Sequence, residues 1–383
     1  MKDYIYADNA ATTRLDADAF EAMKPFLLDE FGNVSQPYSF AKNAKKALRQ
    51  ARISIAECIN AEPEEIFFTS GGTESDNWAI KEFGSRENER FILTSEIEHH
   101  AVLNACNKVA GEGRHVLLLH VDSKGIVSGQ DLRDKLKVIC RNNQNGRDVL
   151  VSIMLANNEI GSIEPISELA CIAREFGAVF HTDAVQAVGH IPIDVKKMGI
   201  DMLSASAHKF NGPKGIGFLY KRKGICISSH NDGGSQEFGL RAGTENVAYI
   251  VAMATALRKN CDHIKENCIK LKKLEDVFIS GLENAGIDYI RNGINQLPGN
   301  VSISFADSSG EMLLHRLDLK HICVSTGSAC DGERTQVSHV IKAVGVPAKY
   351  AKGTIRLSFG RNNTEEDASI IVKAILEIIN EKA

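Results

Sequence analysis

The chain has 383 residues, 43% of them apolar and 25% charged. That is enough apolar material for a large core, and the length suggests two domains. A formal net charge of −4 argues against a nucleic-acid-binding face, which needs an excess of Lys and Arg. The opening residues, MKDYIYADNAATTR, hold no apolar core of a signal peptide. No run approaches the ~18 apolar residues of a membrane span, so no membrane association is expected. Nine cysteines are present without a C-x-x-C pair, which predicts neither a disulfide framework nor a four-cysteine zinc site. Cys58, Cys106, Cys140 and Cys171 read as core filler. A cytoplasmic location is the expectation.

In chain order, short apolar runs alternate with helical patterns. IFFT (66–69), RFILT (90–94), HVLLLH (115–120), VLVSIM (149–154), AVFHTD (178–183), DMLSAS (201–206) and IGFLYK (216–221) read as strands. They are continuous rather than alternating, which predicts strands buried on both faces. Between them lie helical stretches such as TESDNWAIKEFG (73–84) and ISELACIAREFG (166–177). This alternation predicts an α/β fold with a mostly parallel, seven-stranded sheet. Residues 246–286 then read as one continuous helix bridging two domains. VSISF (301–305) and TIRLSF (354–359) follow as strands, with helices at 310–318, 336–344 and 365–379. They predict a smaller α+β domain. The large domain is placed at 15–260, and residues 1–14 join 261–383 in the small one.

Ligands of parallel α/β sheets gather at the carboxyl ends of the strands. Five polar clusters fall there. TSGGTESDN (69–77) opens a helix after a strand, so Gly72 and Thr73 either offer N–H groups to a phosphate or make a capped turn. HTDAVQAVG (181–189) ends an apolar strand on Asp183, an acid that is costly there unless paired. It either holds a protonated ring nitrogen or caps the next helix. Lys209 follows small residues that leave room for a flat ring, which suits bonding to a carbonyl cofactor; an ordinary surface lysine is the other reading. MLANNEIG (154–161) offers asparagines to a ring hydroxyl, or is a plain turn. SEIEHHAVL (95–103) sets His99 at a helix start, stacked on a ring or capping the helix. Taken together, these groups suit pyridoxal phosphate (PLP).

The chain resembles the PLP-dependent cysteine desulfurases of the class V aminotransferase superfamily. The resemblance is carried by DNAATT, FGN, TSGGTESDN, IEHHAVL, ANNEIG, HTDAVQAVG, AHKFNGPKGIG, GLRAGTENV, STGSAC and IRLSFGR. It implies a fold-type-I PLP transferase that works as a homodimer. L-Cysteine becomes L-alanine, and the sulfur becomes a persulfide on Cys330 for a sulfur-acceptor protein, an iron–sulfur scaffold foremost. The resemblance implies catalytic roles for Lys209, which carries the cofactor, for His99, which stacks on it, and for Cys330. It pairs Asp183 with the ring nitrogen and sets Asn158 and Gln186 on ring substituents. Gly72, Thr73, Ser206 and His208 hold the phosphate, and Thr244 reaches the phosphate of the neighbouring subunit. Arg356, with Asn158, binds the substrate, and no metal is implied.

STGSACDGER (325–334) reads as a solvent-facing loop of small residues running up to a thiol. The spacing from Cys330 to Ser338-His339-Val340 is that of the long-loop type. Its DGERTQ content is more charged than is usual there, and Tyr38 stands where a histidine is usual. Both departures bear on the choice of acceptor. The competing readings are a selenocysteine lyase, another enzyme of this fold, and a non-catalytic adaptor.

Overall fold

The computed structural model describes residues 4–83, 90–142, 148–327 and 337–381. In chain order these form strands β1 (Ile5–Tyr6), β2 (Ile66–Thr69), β3 (Phe91–Ser95), β4 (His115–Leu119), β5 (Val149–Ser152) and β6 (Val179–Asp183). β7 (Met202–Ser206), β8 (Gly217–Lys221), β9 (Tyr289–Asn292), β10 (Asn300–Phe305), β11 (Ile322–Cys323) and β12 (Thr354–Ser358) follow. Seven of them make one sheet in the order β2-β8-β7-β6-β5-β3-β4. β3 to β7 pair in parallel, while β8 runs antiparallel to both β7 and β2. The short connection from β7 to β8 explains the reversal, because a parallel return would need a full crossover. The sheet is therefore the mostly parallel, seven-stranded one expected.

Continuous apolar strands arise because both faces are covered. Phe68, Val151, Leu203 and Phe218 enter one buried cluster, whereas their neighbours Phe67, Leu150, Met202 and Leu219 enter another. β4 departs from this pattern. It lies at the sheet edge, and Leu118 on it is 46% exposed. Of the four cysteines expected in the core, Cys106 is buried, Cys58 and Cys140 are half-buried, and Cys171 is exposed.

A second, antiparallel sheet has the order β12-β10-β9. Val301, Ile303, Ile355 and Leu357 from it meet Phe278, Leu313, Ile371 and Ile375 in a separate apolar cluster. The N-terminal strand belongs to this end of the molecule: β1 pairs with β11, and Asp8 bridges to Ser358. The continuous helix expected over 246–286 is two helices, Val247–Asp262 and Ile264–Asn284, parted at His263 (φ −119°, ψ 17°). No Pro or Gly marks the break in sequence. Its cause is tertiary, since the first helix packs on the helices Ala17–Leu28 and Lys42–Cys58, and the second on Glu365–Asn380. The helix expected at 336–344 is His339–Ala343, started by the Ser338 hydroxyl accepting the Val340 N–H at 3.1 Å.

One close approach locks the sheet to the loop before the helix Gly72–Lys81. A Cβ on Gly217 would lie 2.4 Å from the Ala205 carbonyl oxygen and 2.7 Å from Gly71 Cα. Gly217→Ala is expected to cost about 1–3 kcal/mol, the usual cost of overpacking. Chemical denaturation checks this, and an unchanged midpoint would show that the backbone there yields freely.

Candidate active site

The carboxyl ends of β2, β3, β5, β6 and β7 open on one cavity of about 320 Å³. Gly72, Thr73, His99, Asn158, Asp183, Gln186, Ser206, His208, Lys209 and Arg356 all line it. Thr244 does not, being exposed on the surface of this chain. Cys330 lies outside the described residues. Ser325, Thr326 and Gly327, just before it in sequence, do line the cavity.

The helix Gly72–Lys81 starts at the cavity, so its first N–H groups lack intrahelical partners and favour an anion. A Cβ on Gly72 would meet Val185 Cγ2 at 2.5 Å, which keeps this position bare. Ser206 and His208 stand beside it on the cavity wall. Nδ1 of His208 is 3.1 Å from Thr12 Oγ1, and burial pushes its imidazole down to about 4, so it is neutral near pH 7.

Asp183 ends β6 and is buried. Its Oδ1 accepts the Val185 N–H at 2.9 Å. Burial raises its pKa, while His99, the Val185 N–H and Lys209 pull the other way. His99 caps the helix His100–Gly111, with Nδ1 accepting the Ala101 N–H at 3.1 Å. Burial lowers the pKa of its ring against the pull of Asp183.

Lys209 lies in the bend after β7. Its Nζ donates to the carbonyl oxygens of Ala10 at 2.6 Å and Ala11 at 2.9 Å. Gln186 Nε2 donates to the same Ala10 oxygen at 3.0 Å. Thr13 ties this N-terminal segment down, its N–H and hydroxyl both bonding the His208 carbonyl. Arg356 enters from β12 of the smaller sheet. Its Nη1 donates to the Asn158 carbonyl at 2.7 Å and its Nη2 to Asp8 Oδ1 at 2.6 Å.

The wall thus offers N–H donors for an anionic head, a buried carboxyl for a basic ring nitrogen, and an amine for a carbonyl. These residues fit PLP. Sequence reasoning missed Ala10 and Ala11 as parts of the wall and Asp8 as the partner of Arg356, though all three lie in the quoted DNAATT. It also missed the buried acids Asp76, Glu98 and Glu159, which no local pattern distinguishes from surface acids.

Fold and site together define a PLP-dependent enzyme of fold type I. The aminotransferase class-V profile matches residues 5–371, and the chain belongs to that family. It is 46% identical over 378 residues to the cysteine desulfurase IscS of Methanosarcina thermophila, covering 98% of this chain and 92% of the relative. A solved NifS-like protein superposes with a TM-score of 0.90 at 36% identity, covering 99% of this chain and all of the other. SspA, solved in complex with cysteine, superposes with a TM-score of 0.80 at 33% identity, covering 93% and 98%. Within the family the chain falls among the PLP-dependent cysteine desulfurases.

One of the missed acids gives a pH signature. Glu98 accepts the Ser95 hydroxyl at 2.6 Å and the Met154 N–H at 2.9 Å through Oε1. Its Oε2 is buried without a hydrogen-bond partner among the described residues. Burial pushes its carboxyl up to about 8. The unfolded chain releases this proton in the ordinary carboxylate range, near 4.5, while the folded chain keeps it to about 8. Stability should therefore fall as pH rises through that interval and level off above it. Glu98→Gln, neutral throughout, should flatten the slope. Glu164, also pushed up to about 8 by burial, supplies a further part that remains. Urea midpoints across the interval check this, and an unchanged slope in Glu98→Gln would contradict it.

Proposed function

We propose that the cavity is the site where L-cysteine loses its sulfur to Cys330. The observation that carries this is the meeting of Lys209 and Asp183, from the large sheet, with Arg356, from the small one, around a single space. When bound, PLP supplies an electron sink for the substrate Cα.

The chain's own residues do the rest. Asp183 would pair with the ring nitrogen, and His99 would stack on the ring. Asn158 and Gln186 bond its substituents. Gly72, Thr73, Ser206 and His208 hold the phosphate. Lys209 Nζ would hold the cofactor and is the base that would move the proton at the substrate Cα. The planar guanidinium of Arg356 receives the substrate carboxylate, sharing it with the Asp8 pair. Cys330, as thiolate, bonds the substrate sulfur as the carbon–sulfur bond breaks. Cysteine and the Cys330 thiol become alanine and the Cys330 persulfide, so atoms and electrons balance without an added oxidant.

Residues 15–260 form the domain that holds the cofactor. Residues 1–14 and 261–383 form the one that brings Arg356 and Cys330. The enzyme works as a homodimer in which Thr244 serves the neighbouring subunit's phosphate. Support comes from the exposure of Thr244 and from apolar side chains left at the surface. Leu28 is 68% exposed, and the rings of Phe31 and Phe40 meet edge-on at 5.2 Å with Phe31 67% exposed. The sulfur acceptor is an iron–sulfur scaffold protein, and the location is cytoplasmic. Among the described residues, no helix is long and apolar enough to cross a membrane.

Two variants test this reading. Borohydride should fix PLP to the wild-type chain at Lys209 and leave Lys209→Ala unlabelled. Label found on another lysine would refute the assignment. Cys330→Ser should still bind PLP, yet form alanine more slowly by on the order of a hundredfold or more, since a hydroxyl is a poor nucleophile toward sulfur. Undiminished alanine formation would end the proposed role of Cys330. Activity confined to selenocysteine would instead make the chain a lyase for that substrate.

A further inference from the structure

A second carboxyl stands in the cavity wall beside Asp183. Asp76 lies on the helix Gly72–Lys81, one turn beyond Gly72 and Thr73, and is 1% exposed. It lines the same cavity. Its Oδ1 is buried without a hydrogen-bond partner among the described residues. This oxygen lies 3.8 Å from His181 Nε2. His181 is two residues before Asp183 on β6, so both side chains leave the strand on the same face. Hydroxyls hold both ring nitrogens: Ser152 Oγ is 2.9 Å from Nδ1, and Ser204 Oγ is 3.0 Å from Nε2. The Ser204 hydroxyl also bonds the Asp76 carboxyl.

Among the described residues, no cation acts on Asp76. His181 and Asp183 face it from β6, Ser204 from β7, and Glu98 from the turn after β3. Burial pushes the His181 imidazole down to about 3, which leaves it neutral. Lys209 and His99 act on Asp183 instead. Burial first, and the Asp183 charge second, push the Asp76 carboxyl well up. Two carboxylates in one dry wall cannot both ionise cheaply, and the one without a cation keeps its proton.

We propose that Asp76 and Asp183 form a pair that carries one negative charge, with Asp183 ionised toward the ring nitrogen and Asp76 a neutral acid beside it. The proposal rests on the reading of Asp183 given above. Asp76 is a positioning residue. Its retained proton leaves the pair with a single negative charge to match the single N–H⁺ that the ring would carry. If Asp183 loses its charge, the repulsion on Asp76 falls, and Asp76 ionises in its place.

The test uses the PLP-loaded enzyme and two readouts other than turnover. In infrared difference spectra near neutral pH, Asp76→Asn should lose the carbonyl band of one protonated carboxylic acid. Glu98→Gln, as a control, should lose a different band. Isotope-labelled aspartate in the wild-type chain should shift the Asp76 band, which gives the assignment even if Asp76→Asn folds poorly. For PLP affinity, Asp76→Asn alone should stay within about threefold of wild type, because Asn also presents a neutral group. Asp183→Asn should bind PLP more weakly, and the double variant more weakly than the product of the two single effects. No aspartic acid band by either route overturns the pair, whatever Asp183 does. Independent effects on PLP affinity overturn the reserve role of Asp76. Unchanged PLP absorption in Asp183→Asn overturns the ring-nitrogen reading itself, and the proposal with it.

Discussion

A carboxyl buried at the end of a central strand cannot keep its charge unaided. Asp183 is in that position, and burial alone drives it toward the neutral acid. Only a cation held close, in a wall that excludes water, keeps it ionised. His99 and Lys209 pull it back toward the charged form, and in the function proposed above a protonated ring nitrogen would supply the rest. The other features of the cavity follow from this need. Small residues before Lys209 leave space for the ring. The imidazoles of His181 and His208 stay neutral and add no competing charge. The positive end of the helix Gly72–Lys81 opens on the same cavity and suits an anionic group there.

The second requirement is that two sheets act on one space. The large sheet places its strand ends together by its own parallel order. Arg356 comes from β12, and it is tied to the large-sheet side both by the Asn158 carbonyl and by the N-terminal segment. Asp8 pairs with Arg356 while bridging to Ser358, and two residues later Ala10 accepts from both Lys209 and Gln186. A few residues of chain thus connect the Arg356 guanidinium to the Lys209 amine. A shift of either sheet would be felt at both groups, because Asp8, which holds Arg356, and Ala10 and Ala11, which hold Lys209, lie on one short stretch of chain.

The parallel sheet was legible because burial on both faces leaves a mark, the unbroken apolar run. The polar clusters were legible because each directly follows such a run, at or just past the strand end, so sequence adjacency stands in for position. Where cause is tertiary, the pattern is silent. His263 has no helix-breaking side chain, and the helix parts there because two different cores claim its two halves. β4 has the composition of an inner strand yet lies at the edge, since strand order is not written in any one strand. Asp76 and Glu98 read as ordinary helix-start acids. Their burial depends on chain that is distant in sequence, Ser204 and His181 for the first and Met154 for the second.

The local and functional readings of the site residues are not rivals. His99 was open to two roles, a helix cap or a partner for a ring, and its geometry allows both. Nδ1 is spent on the Ala101 N–H, and this bond restricts the imidazole while the residue still lines the cavity. Asp183 uses Oδ1 on the Val185 N–H and lines the cavity. In each case the capping bond removes rotamer freedom before any ligand arrives. The entropy of aiming the side chain is then met during folding rather than during binding. A capping residue at the end of a buried strand is therefore a natural place to find chemistry. The turn that needs the cap is also what points the remaining polar atom at the ligand.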